Sequence, residues 1–65
     1  MNICLMWDWK DQPDWDAINR AIAEVGGTPH LYEVADTGGD CYGLVVSSRE
    51  LSAKDVQACW EDASS

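Results

Sequence analysis

The sequence predicts an α+β fold: one small β-α-β-β-α domain over residues 1–65, with two helices packed on one face of a three-stranded, mainly antiparallel sheet. Three observations predict it. Apolar residues recur at helical spacing in two segments; they run together or alternate at strand spacing in three others; and helix-starting residues stand where the pattern changes. Layering helices on one face of a small antiparallel sheet lets a short chain bury both kinds of element around one core.

The first element, NICLMWDW, begins as an apolar run and ends in alternation, so it reads as a strand over about residues 2–8 that leaves the core at Asp8. Trp7 and Trp9 then point the same way unless the strand ends between them, and Trp9, just past the strand, is expected to be partly exposed. In KDQPDWDAINRAIAEVGG, Pro13 suits the first helical position, Asp14 and Asp16 the first turn, and Gly26 the position just after the last turn. These signals predict a helix over about 13–25, with Trp15, Ile18, Ala21, Ile22 and Val25 as its inward stripe.

TPHLYEV, residues 28–34, is rich in strand formers. ADTGGD supplies a turn and CYGLVVSS a third strand over about 41–47. The pair reads as a hairpin across which Tyr32 and Tyr42 can meet, and the Leu44-Val45-Val46 run suits the central strand, with the other two as edges. Ser52 followed by Asp55 resembles a capping box, with Leu51 and Val56 at the staple positions. A helix over about 53–62 follows, with Val56, Cys59, Trp60 and Ala63 on its inner side and Trp15 and Trp60 both expected in the core.

Length sets a limit on all of this. A chain of 65 residues buries only about 60% of its unfolded surface. Four Trp and no Phe concentrate the apolar area in few positions, each able to bury roughly 150–250 Å². Twelve Asp and Glu against four Lys and Arg leave a net charge of −8, which argues against binding nucleic acid or an anionic membrane and toward a cationic partner. With 46% hydrophobic residues the chain is too apolar for a disordered acidic tail.

Cys4, Cys41 and Cys59 are widely spaced with no CxxC, and His30 is the only histidine, so neither a zinc site nor a disulfide framework is expected. A reduced cytoplasmic setting follows. MNICLMW lacks a basic n-region, and no segment approaches the roughly 18 apolar residues of a membrane span.

The densest charge lies at Asp8, Asp11, Asp14 and Asp16, relieved within that stretch only by Lys10. The helix macrodipole accounts for Asp14 and Asp16, since it stabilises acids in a first turn by about 0.3–1 kcal/mol each. It explains Asp11 less well and Asp8 hardly at all. The calcium-loop pattern is absent, the glycines of ADTGGD match no phosphate-binding signature, and a lone His30 with capping serines makes no catalytic set. No enzyme activity, metal or cofactor is expected. The candidate partner-binding residues are Asp8, Trp9, Asp11, Asp14, Glu33, Asp36 and Asp40, with exposed Trp as an interface anchor.

One tiny acidic domain with reduced cysteines and no catalytic set, opening on MNICLMWDWKDQPDW, resembles the small acidic phage-encoded anti-CRISPR proteins, in particular inhibitors of type I CRISPR surveillance complexes. The resemblance covers the whole chain in size and charge and rests on no diagnostic motif. It implies a protein that mimics DNA and occupies the basic DNA-binding groove of the complex, with the large PAM-reading subunit as one target; a monomer in the cytoplasm of a bacterial host is the accompanying expectation. The rival expectation is an antitoxin, an immunity protein or another regulator that binds a basic protein.

Overall fold

The computed structural model describes residues 1–11, 13–35 and 41–64. Five elements follow in the order β1 (Asn2–Asp8), α1 (Trp15–Val25), β2 (His30–Ala35), β3 (Cys41–Ser47) and α2 (Ala53–Ser64). The three strands form one antiparallel sheet of order β1-β3-β2, so the apolar run does occupy the centre. β1 pairs with β3 from Asn2↔Ser47 to Asp8↔Cys41, and β2 pairs with β3 from His30↔Ser47 to Ala35↔Tyr42. Both edge strands are antiparallel to β3 and therefore parallel to each other, with α1 as the crossover between them: a split β-α-β unit. The α+β class and the element order stand as expected.

The expected layering does not. Side chains of a strand alternate between faces, so Leu44 and Val46 lie on one side of β3 and Gly43, Val45 and Ser47 on the other. α1 covers the first side, where Ala21, Ile22 and Val25 pack with Ile3, Leu5, Leu44 and Val46. α2 covers the second. A Cβ placed on Gly43 would run into the Leu5 carbonyl and the Trp60 indole, and the Asn2 amide donates to Cys59 Sγ at 3.3 Å. The helices thus sandwich the sheet instead of sharing one face.

The physical reason lies in β3 itself. A continuous apolar run is the mark of a strand covered on both sides, and Val45 and Val46, neighbours on opposite faces, are each 0% exposed. Each face then needs its own helix.

Local signals end the elements as the chain chemistry requires. Asp14 is the N-cap of α1, its Oδ1 accepting from the backbone N–H of Asp16 and Ala17 at 3.0 and 3.1 Å, a cap contributing about 1 kcal/mol. Pro13 therefore precedes the helix instead of opening it. α1 stops at Gly26, whose φ of 72° is left-handed backbone that glycine adopts without cost from a Cβ. At α2 the Ser52 Oγ accepts from the Asp55 N–H at 3.2 Å, as the capping pattern predicts. Leu51 is buried beside it, and its N–H donates to the Tyr32 hydroxyl at 2.8 Å, tying the entry of α2 to β2.

Among the aromatics, Trp60 is core at 6% exposure, but Trp15 is 68% exposed. Trp15 extends the α1 stripe beyond the point where the sheet closes on it, so spacing placed its face correctly and its burial wrongly. Tyr32 pairs opposite Val45 and Tyr42 opposite Ala35, so the two tyrosines lie on opposite faces and do not meet. Ala63 of α2 is also exposed.

Candidate partner-binding face

α1 lies over β1 and β3. On that side of the sheet, Leu31, Glu33 and Ala35 of β2 remain exposed. Between α1 and this uncovered strand runs an open groove of about 740 Å³, within the range of roughly 300–1,000 Å³ usual for ligand-binding clefts. Trp7 from the end of β1 and Trp9 just past it, Trp15 and Ile18 from α1, Leu31 and Glu33 from β2, and Tyr42 and Leu44 from β3 line it.

The aromatic wall is held in place. The Tyr42 ring lies 5.7 Å from Trp7 and 4.9 Å from Trp9 between centroids, tilted 37° and 32°, within the spacing favoured by aromatic pairs. Trp7 and Trp9 thus flank one ring from the same side of the strand, as alternation predicts. The Tyr42 hydroxyl donates to the Asp11 carbonyl at 2.8 Å, which pins the β1–α1 connection over the ring. The connection is tightened by the Asp11 N–H donating to the Asp8 carbonyl at 2.9 Å and by the Lys10 N–H donating to Asp8 Oδ1 at 2.9 Å.

These bonds divide the expected site residues by role. Asp8 closes a turn and Asp14 caps a helix, each through Oδ1 in the bonds above. Asp11 contributes its backbone to the tyrosine clamp and keeps an exposed side chain. Glu33 lines the groove, and Trp9 is 55% exposed within it. Of the expected acids, Glu33 is the one in the lining, Asp11 adjoins the groove through its bond to Tyr42, and Asp8, which alternates with Trp7 and pairs with Cys41, belongs to the opposite face of the sheet. Asp36 and Asp40 lie outside the described residues.

Sequence reasoning missed Trp15, Leu31 and Tyr42 as groove residues. The signal for Trp15 and Leu31 was absent, because exposure on an apolar stripe is set by what fails to cover it. Tyr42 belongs to the groove because it stands opposite Trp7 in the β1–β3 register and shares its face, a pairing that the structure supplies.

On the other side, Cys4 and Cys59 line a smaller cleft with Asn2, Asp62 and Ala63. Burial, and secondarily the neighbouring Cys59, push the Cys4 thiol above its ordinary value of 9.0, so it stays protonated at neutral pH. Among the described residues no three His, Cys, Asp or Glu side chains are grouped so as to hold a metal ion, and no helix is long and apolar enough to cross a membrane. Comparison with protein-family models, curated proteins and solved structures found no match.

Proposed function

We propose that this protein is a binding inhibitor and not a catalyst: it offers an acid-rimmed aromatic groove to a basic protein surface and blocks what that surface would otherwise bind. In the manner of the small phage-encoded anti-CRISPR proteins it resembles, the target is the DNA-binding groove of a type I surveillance complex. The observation that carries this reading is the groove itself, where Trp9 and Trp15 stand exposed with Glu33 in the lining and Asp11 held beside it by Tyr42. Large apolar side chains left open to water on a chain of this size favour an interface, and a charge of −8 selects a cationic partner and raises the rate of encounter.

The dimensions fit such competition. The Cα envelope is 32 Å long, and duplex of that length carries about 19 phosphates, roughly half of them on one side. A net charge of −8 is of the same order, and it matches such a side only to the extent that the acids are gathered there.

The test is a gel-shift assay of target DNA by a purified type I complex, with the protein in increasing excess. DNA binding is expected to fall, and to recover with Asp11→Lys and Glu33→Lys, which reverse rim charges without touching a cap. Inhibition should also weaken as salt shortens the screening length from about 10 Å at 0.1 M toward 3 Å at 1 M. Undiminished DNA binding at saturating protein would refute the proposal and leave the antitoxin or immunity reading, in which the same face meets another basic target.

A further inference from the structure

We infer that the groove is selective for arginine: it receives arginine side chains of the partner, their guanidinium planes stacked on the indoles of Trp9 and Trp15 and their N–H groups turned to the rim carboxylates. The inference deepens the proposed function and rests on its premise of a basic protein partner. Four features of the groove lead to it.

The first is the pair of indoles. Trp9 directly follows β1 and Trp15 begins α1, both border the same groove, and both are more than half exposed. Trp offers the best ring face for a cation, and arginine occupies such faces more often than lysine.

The second is rigidity. Trp9 rests on Tyr42, and Tyr42 is bonded through its hydroxyl to the Asp11 carbonyl, so the ring is presented before any partner arrives. A face ordered in advance loses little freedom on binding.

The third is the mixture of surfaces. The floor of Ile18, Leu31 and Leu44 is apolar, while Glu33 borders the groove and Asp11 stands exposed beside it. A compact, strongly hydrated ammonium gains little from an apolar floor. The guanidinium is more weakly hydrated, lays a flat face against rings, and still carries donors at its edge for a carboxylate.

The fourth is charge, which chooses among occupants. A second copy of this chain would bring its own −8 to the same rim, and nucleic acid would bring phosphates. A basic segment neutralises the rim that repels both.

The experiment titrates the protein with three capped hexapeptides, all arginine, all lysine and all citrulline, followed by tryptophan fluorescence at low salt and by calorimetry. The arginine peptide is expected to bind about tenfold more tightly than the lysine peptide of equal charge, the citrulline peptide hardly at all. Trp9→Leu and Trp15→Leu should each reduce the arginine preference severalfold. Trp15 carries the cleaner test, since its exposure leaves the fold unaffected, which circular dichroism checks. Equal affinity for arginine and lysine, or a preference that survives in both variants, would overturn the inference.

The two proposals fail separately. Arginine and lysine peptides that bind equally and are both lost in Asp11→Lys and Glu33→Lys leave the acidic-face reading intact and refute only the arginine selectivity. Binding of neither peptide refutes the selectivity, while the gel shift decides the inhibitor reading by itself.

Discussion

Replacing Gly43 by alanine tests the sandwich directly, because the added methyl has nowhere to go. A Cβ at that position overlaps the Leu5 carbonyl and Trp60 Cζ3 and lies 2.8 Å from Trp60 Cη2. Carbon atoms rest about 3.5–4.0 Å apart, so the indole must retreat by about 1 Å, and the β1 backbone, which pairs with β3 at Met6↔Gly43, must shift as well. Overpacking of this kind costs about 1–3 kcal/mol.

A domain of this length has a stability of roughly 3–10 kcal/mol, so the substitution removes a large part of it. Urea unfolding followed by helical circular dichroism is the assay. With a slope of about 1 kcal/mol per M, the midpoint should fall by about 1–3 M. Repeating Gly43→Ala in a Trp60→Leu background separates the two obstacles. The part of the cost due to the indole should disappear as a coupling of about 0.5–3 kcal/mol, and the part due to the Leu5 carbonyl should remain. An unchanged midpoint for Gly43→Ala, or no coupling to Trp60, would refute the placement of α2 on the Gly43 face.

Two further outcomes follow from burial. Trp60→Ala should cost about 3–5 kcal/mol, and Trp15→Ala about 0.5 kcal/mol or less, in the same urea assay; the reverse order would mean that Trp15, not Trp60, is in the core. Cys4, whose thiol is raised by burial and by Cys59, should make stability pH-dependent on the alkaline side. A raised folded value means that its contribution is whole below the unfolded value near 9 and is lost as pH rises through the folded one. Urea midpoints measured from pH 7 to 11 should therefore fall less steeply in Cys4→Ala, and exposed Cys41 should react with a thiol reagent well before Cys4. Equal reaction rates would contradict the difference in environment.

The local structure of this protein is written in its sequence. β1 and β3 begin and end where alternation and apolar runs predict, Asp14 and Gly26 bracket α1, and Ser52 opens α2, because each of these features depends on atoms within a few residues along the chain. The central place of β3 was legible for the same reason: Leu44, Val45 and Val46 are too apolar for an edge. Among the candidate site residues, Trp9 and Glu33 were legible by position, and both border the groove.

Which face each helix takes could not be read in this way, although the unbroken Leu44-Val45-Val46 run carried the hint that both sides of β3 are covered. That choice belongs to contacts between distant segments. Trp60 fits against Gly43 seventeen residues earlier only when α2 crosses behind the sheet, while Ala21 and Val25 already fill the front. The same choice creates the groove. With α2 behind, a single helix serves the front and covers β1 and β3, leaving Leu31 and Glu33 of β2 open beside Trp15. The sequence by itself determined the elements, the charge and the aromatic content; the tertiary structure alone decided that Trp60 is buried and Trp15 is not, because exposure depends on what packs across from a residue and not on its neighbours in the chain.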